Sequence, residues 1–291
     1  MNTEDFVYHR PATVQEALTL LAQPDLRPLA GGTDLIPQWR EGRRPAAGML
    51  DLKFIPELII CEFSAEQGAR IGAALPCADL YAQSWLAKNY PALDDAARLI
   101  GGWQIQNRAS LGGNLCNASP SADGVPALIV DGATAEIVSA TGRRSVPVEN
   151  FCTGPGKTVL QPGELLLAFV LPVPATRSGS AYLRFTPRAE MDIALCGAAA
   201  RLQLDADGKI GSVKIALGAV APTAIRVPEA EKILLGRKPD EAVFAEAATA
   251  AMTAARPISD PRASADYRRQ LVGVLTRRAL TLALARAGVA S

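Results

Sequence analysis

Two glycine pairs, each set between an apolar approach and a polar step, constrain this chain more than any other feature. The first lies in RPLAGGTDLIPQW at residues 27–39, where Gly31 and Gly32 separate Pro28-Leu29-Ala30 from Thr33-Asp34 and an apolar run resumes at Leu35. The second lies in NRASLGGNLCNASPSAD at residues 107–123, around Gly112 and Gly113. A glycine pair lets the backbone turn sharply and brings main-chain N–H groups close to a partner. Successive N–H groups in such a turn form an anion-binding concavity that needs no Lys or Arg. A helix starting near Leu35 adds its positive N-terminal end. Two such loops read as two halves of one clamp. Thr33, Ser110, Asn114, Asn117 and Ser119 add neutral groups of the kind that surround a diphosphate and a polyol. Asp123 suits either ribose hydroxyls or the cap of a helix beginning near Gly124, and Asp34 reads as a helix cap.

Composition narrows the chemistry. A chain of 291 residues buries a good core and divides into two or three domains. Thirty Lys+Arg against 29 Asp+Glu leave a net charge of +1, which gives no reason to expect nucleic acid or an anionic membrane as a partner. The acidic, polar start MNTEDFVYHRP does not resemble a signal peptide, and apolar stretches such as ALTLALA at 279–285 are too short to span a bilayer. The expectation is a soluble, cytoplasmic protein. Cys61, Cys77, Cys116, Cys152 and Cys196 are widely spaced and odd in number, which fits a reducing compartment. Without closely spaced pairs they do not read as zinc or iron–sulfur ligands, and no metal is expected on this chain. His9 is the single histidine, which argues against metalloprotease and Ser-His-Asp chemistry. Catalytic reactivity would then come from a bound cofactor.

TGPGKT at 153–158 imitates the end of a phosphate-binding P-loop, but position 151 is Phe where that motif needs Gly. Pro155 removes a donor as well. No G-x-G-x-x-G opens a strand-to-helix turn, so a Rossmann-type fold is not expected either. Thr13 to Glu16 is a capping box opening a helix to about Ala22. Residues 48–55, 57–63 and 68–75 read as strands, 77–89 as a helix, and Pro91 opens another that stops at Gly101-Gly102. A short helix over GVPALIVDGA, a hairpin turning at Thr141-Gly142, and a buried strand at 164–172 follow. PVPATRSGSA at 172–181 is the best linker candidate. Beyond it come two strands around Asp205 to Gly208, then helices near 226–235, 240–255 and 264–288, a small α+β arrangement.

AGGTDLIP, NRASLGGNLCNASPSADGVPALIVDGA and ENFCTGPGKTVLQPGELL, in that order, closely resemble the FAD-binding medium subunit of molybdenum hydroxylases, the xanthine dehydrogenase and carbon monoxide dehydrogenase family. AYLRFTPRAEMDIALCGAAARL resembles the start of that family's C-terminal domain, so the likeness covers nearly the whole chain. The resemblance implies an α+β fold. It has a two-part FAD-binding domain of the vanillyl-alcohol-oxidase-like (PCMH) type, residues 1–58 and 59–175, followed by a small α+β domain at 180–291. It implies FAD as the cofactor, with molybdopterin and 2Fe-2S clusters only on partner subunits.

Carried over residue by residue, Ala30, Gly31, Gly32, Thr33, Asp34 and Leu35 form the first pyrophosphate loop. Ser110, Gly112, Gly113 and Asn114 form the second, with Ala118, Ser119 and Asp123 near the ribityl or adenosine portion. Leu166 is placed near the adenine or flavin. Arg184 takes the position of a cation suited to stabilising a reduced, anionic ring, and Tyr182 either packs on the isoalloxazine or is an ordinary core tyrosine. The implied role is electron transfer from a small iron–sulfur subunit to an external acceptor, with substrate oxidation on a large molybdopterin subunit and a dimer of heterotrimers as the assembly. Arg268, Arg269, Arg277 and Arg278 form either a partner-facing or a solvated basic face. A stand-alone flavin oxidoreductase of the same superfamily is the alternative.

Overall fold

A computed structural model describes residues 6–23 and 25–288. The N-terminal segment forms a small parallel sheet in which Gly48–Asp51 lies between Val7–His9 and Leu26–Leu29. The helix Val14–Leu21 follows the first strand. Thr13 Oγ1 accepts from the Glu16 N–H at 3.2 Å, and the Glu16 carboxylate reaches back to the Ala12 N–H at 2.7 Å. Thr13 thereby satisfies one amide that the helix start leaves open, and Glu16 ties down the residue before the cap. Ala17 and Leu18 bury its inner face. The first glycine pair leaves the C-terminal end of Leu26–Leu29, and the helix Leu35–Arg40 begins just beyond it. Parallel strands characteristically offer ligands this place, outside their carboxyl ends.

The second sheet is antiparallel, in the order Cys61–Ser64, Gly68–Gly72, Leu165–Leu171, Thr134–Ser139, Gly142–Pro147. Its central strand, Leu165–Leu171, is apolar throughout because both of its faces are covered. The helix Gly124–Val130 is buried at every position and packs between the helix Pro91–Ala97 and the C-terminal strands Cys196–Leu204 and Ile210–Gly218. One hydrophobic core runs from the parallel sheet through this region.

Several local expectations shift: the linker expected over 172–181 is strand from Ser178, and the strand expected over 68–75 ends at Gly72. The strand expected over 48–55 stops at Asp51, whose carboxylate caps a single 3₁₀ turn at Leu52–Phe54. The run 57–63 opens as a helical turn, Pro56–Ile59, because Pro56 occupies the first helical position, and becomes strand only at Cys61. The helix expected over 77–89 is two, Cys77–Tyr81 and Ser84–Asn89, broken where Gln83 is extended.

The C-terminal sheet is antiparallel, with Ser178–Phe185, Cys196–Leu204, Ile210–Gly218 and Ile225–Arg226 in sequence order. Alternation along Cys196–Leu204 divides its residues. Ala198, Ala200 and Leu202 pack under the helices Pro228–Leu234, Glu241–Ala254 and Ala265–Gly288, whereas Ala199 joins the first core with Tyr182 and Ala216. The long last helix is also tied across to the first core's helices, where Arg286 donates to both oxygens of Asp95 at 2.6 and 2.9 Å and to the Ser180 carbonyl. The basic face expected on that helix loses one member. Arg268 is buried, donating to the Leu195 carbonyl and to Asp260, both at 2.8 Å. The spacing of four arginines conceals that one of them closes an interior contact.

Among the described residues no helix is long and apolar enough to cross a membrane, and no group of three or more His, Cys, Asp or Glu is placed to hold a metal ion.

Candidate cofactor-binding site

The two glycine loops touch. A Cβ on Gly31 would fall on the Arg108 carbonyl and within 2.9 Å of the Ala109 Cα, so only glycine lets the first loop lie against the backbone leading into the second. Gly32 turns the first loop through a left-handed φ of 76°. A side-chain bridge adds to the contact, since Gln38 Nε2 donates to Asn117 Oδ1 at 3.2 Å. Between the loops opens a cleft with a cavity volume of about 390 Å³, within the range of small-molecule sites.

The two loops offer the cleft different things. The N–H groups of Gly31, Gly32, Thr33 and Asp34 donate to no atom among the described residues. Four successive free donors at a positive-φ glycine form a concavity for an anion. In the second loop the amides are already used. Gly112 N–H donates to the Ala73 carbonyl at 3.1 Å, Gly113 N–H to Ser110 Oγ at 3.0 Å, and Asn114 N–H to the Ser110 carbonyl at 2.9 Å. Ser110 is thereby the cap of the helix Leu111–Asn117. A Cβ on Gly112 would strike the Ala73 carbonyl, so that glycine serves packing against the neighbouring strand end. Gly113 is different. A Cβ there would meet only Ser110 Oγ, at 3.3 Å, and the missing side chain leaves room in the cleft itself.

Of the residues expected at the site, Ala30, Gly31, Gly32, Thr33, Asp34, Leu35, Ser110, Gly112, Gly113, Asn114 and Leu166 line this one cleft. Ala118 lies behind it as the left-handed end of the helix, its carbonyl accepting from the Gly156 N–H at 2.9 Å. Ser119 is exposed in the following turn. Asp123, Tyr182 and Arg184 form a separate cluster where the C-terminal sheet meets the helix Gly124–Val130. Tyr182 Oη donates to Asp123 Oδ1 at 2.6 Å and Arg184 Nη1 donates to Asp123 Oδ2 at 2.5 Å. Burial raises the Asp123 carboxyl above its ordinary value, opposed by Arg184 and the Tyr182 hydroxyl. It also pushes the Tyr182 phenol well up. Neither Asp123 nor Asp34 caps its helix through its side chain. Asn114 Oδ1 accepts from the Gly124 N–H at 3.0 Å, taking the place expected of Asp123 at that helix start.

Several lining residues escaped sequence reasoning. Gln38, Arg44 and Ile100 carry no local motif, and nothing in their neighbourhoods marks them. Gly156 and Thr158 lie in the P-loop imitation, which folds as a two-stranded ribbon, Cys152–Gly154 with Lys157–Thr158, and forms part of the cleft wall. Asp34 is the one acidic group of the first loop; it stays solvent-exposed while lining the cleft, and partial desolvation there raises its carboxyl, with Arg44 and Arg43 pulling it down.

This combination defines a class, a unit of one parallel and one antiparallel sheet around a cleft edged by free amides, with a separate sheet-and-helix domain docked on it. Residues 3–174 match the model for the FAD binding domain in molybdopterin dehydrogenase, and residues 181–283 match the CO dehydrogenase flavoprotein C-terminal domain. The chain is 35% identical to a xanthine dehydrogenase FAD-binding subunit from Escherichia coli, with 97% of each chain covered. It is 36% identical to the carbon monoxide dehydrogenase medium chain of Afipia carboxidovorans, covering 97% of this chain and 98% of the relative. Among solved structures, carbon monoxide dehydrogenase from Hydrogenophaga pseudoflava superposes with a TM-score of 0.92 at 32% identity, covering 98% of this chain and 99% of that one. Quinoline 2-oxidoreductase from Pseudomonas putida 86 gives 0.90 at 32% identity, covering 99% of both. The chain belongs to the family of flavoprotein medium subunits of molybdenum-containing dehydrogenases.

Proposed function

We infer that this chain is the FAD-carrying electron-transfer subunit of a molybdenum hydroxylase complex, and that its cleft holds the dinucleotide with the diphosphate against the first glycine loop. The observation that carries this reading is the row of free N–H groups from Gly31 to Asp34 at a cleft that Gly113 lines without a side chain. An anionic diphosphate satisfies those donors without a basic cluster. Ser110 and Asn114 shape the opposite wall, while Leu35, Ile100 and Leu166 offer apolar surface to rings. Bound FAD would supply the redox chemistry, linking an iron–sulfur partner to an external electron acceptor. The protein binds and orients the cofactor and keeps bulk water from its diphosphate.

By the same reading Ala118, Ser119 and Asp123 lie on the ribityl or adenosine side and Arg184 supplies the cation for the reduced ring, while Tyr182, buried in the core against Asp123, fits the core-tyrosine alternative. The implied partners are a large molybdopterin-binding subunit and a small iron–sulfur subunit, joined as a dimer of heterotrimers in the cytoplasm. The functional units are 1–58, 59–175 and 180–291. Because the relatives spanned end to end are named as subunits, the assembled reading is favoured over a stand-alone oxidoreductase.

The first test is the visible spectrum of the purified chain, with mass analysis of what heat or acid releases. A flavin spectrum and released FAD, without iron or molybdenum in the sample, is the expected result. A colourless chain that takes up no added FAD, alone or with its partner subunits, overturns the reading.

A further inference from the structure

The first glycine loop is fixed from the side away from the cleft. Lys53 lies outside the cleft lining, and its Nζ donates to the Ala30 carbonyl at 2.7 Å. Asp51 holds that ammonium in place. Its Oδ1 accepts from the Lys53 N–H at 3.1 Å and from Lys53 Nζ, and its Oδ2 accepts from the Tyr8 hydroxyl. Asp51 is only 2% exposed and the Lys53 side chain 14%, so the pair is removed from water. Buried charges of this kind are retained where they are paired and hydrogen-bonded.

The placement follows from strand register. Asp51 is the partner of Leu29 in the parallel pair Gly48–Asp51 and Leu26–Leu29, so its carboxylate stands beside the point where the chain leaves the sheet for the glycines. Lys53, two residues on in the 3₁₀ turn that Asp51 caps, reaches back across that point. The carbonyl it grips belongs to the same peptide unit as the Gly31 N–H. A trans peptide is planar, so fixing the C=O direction fixes the N–H in the opposite direction. A charge-assisted bond to that carbonyl also polarises the amide, making the N–H a stronger donor.

We infer that Lys53, held by Asp51 and Tyr8, is a positioning residue for the cofactor diphosphate: by gripping the Ala30 carbonyl it aims and strengthens the Gly31 N–H, the first donor of the row. The inference rests on the FAD reading above and adds three residues that no glycine motif contains.

The test compares the full chain with Lys53→Arg, which keeps a donor within reach of Ala30, and with the double variant Asp51→Asn/Lys53→Met, which removes both charges and leaves neither stranded. Two quantities are measured, the FAD dissociation constant by titration and the backbone ¹⁵N order parameters of Gly31 to Asp34 without FAD. The double variant is expected to keep its melting temperature within a few degrees, to loosen this loop, and to bind FAD about tenfold or more weakly. Lys53→Arg is expected to recover most of the affinity. Wild-type affinity in the double variant overturns the inference, as does weaker binding with the loop order unchanged. If the unaltered chain takes up no FAD, the proposed function fails separately. The order parameters then still judge Lys53, since a loop equally rigid without it overturns the hold on Ala30.

Discussion

Arg184 donates through Nη1 to Asp123 Oδ2 at 2.5 Å, and this ion pair bridges the C-terminal sheet and the start of the helix Gly124–Val130. Both side chains are nearly buried, at 6% and 10% exposure, and Tyr182 uses the other carboxylate oxygen. Removing one partner strands a charge in the interior. Arg184→Met is therefore expected to destabilise the chain by about 3–5 kcal/mol, and Asp123→Asn/Arg184→Met to recover a large part of that loss. Urea unfolding of the two single variants and the double variant checks this. Additive single effects would mean that the two groups do not share one interaction.

The glycines of the clamp are expected to separate into two kinds. In Gly31→Ala the new methyl meets the Arg108 carbonyl, and overpacking of this kind costs about 1–3 kcal/mol. Such a variant loses cofactor through loss of structure. In Gly113→Ala the methyl meets only Ser110 Oγ, at 3.3 Å, a tight approach relieved by a few tenths of an ångström of side-chain movement, so stability is expected to stay within about 1 kcal/mol of the parent. FAD affinity is nonetheless expected to fall about tenfold or more, because the methyl stands where the ligand approaches. Parallel melting curves and FAD titrations distinguish the two. Unchanged FAD binding in Gly113→Ala would make that glycine a turn residue only.

The clamp was legible in the sequence because glycine pairs mark close backbone approach, whatever approaches. The text of the motif does not say what each glycine approaches. Gly31 faces the other loop, Gly112 faces Ala73, and only Gly113 leaves cleft space, although all look alike in sequence. The capping box at Thr13 was readable because every partner lies within four residues. Lys53 was not, since its function depends on a parallel pairing between segments about twenty residues apart. Asp123 shows the limit from the other direction. Its position before a helix suggested a cap, but Asn114 satisfies that amide and Asp123 turns to Tyr182 and Arg184, both distant in the chain.

The cysteines are expected to take no part in the redox chemistry of the native chain. Burial pushes the thiols of Cys77, Cys116 and Cys196 up to about 12 and those of Cys61 and Cys152 up to about 11. At a pH of about 8 the reactive thiolate is then about one part in a thousand or less. Iodoacetamide is expected to leave the folded protein unlabelled over a time that labels all five thiols in urea. Rapid labelling of Cys116, which lines the cleft, would show that the site is open enough to hydrate it.

Asp34 gives the cofactor site a pH dependence whose sign follows from its surroundings. Partial desolvation in the cleft already raises its carboxyl, though the side chain is exposed, so proton loss there is resisted in the free chain. A diphosphate bound to the adjacent N–H row brings like charge close and raises it further. Binding then carries proton uptake. Affinity is greatest below the raised pKa and falls as pH rises through it, levelling off where Asp34 is ionised in both states. FAD is expected to bind about three- to tenfold more weakly at a pH well above the raised value than at one well below it. Asp34→Asn is expected to flatten that dependence and to bind more tightly than the parent at the higher pH. FAD titrations of both proteins at the two pH values check it. An equally steep profile in Asp34→Asn would assign the dependence to another group and place the diphosphate away from this residue.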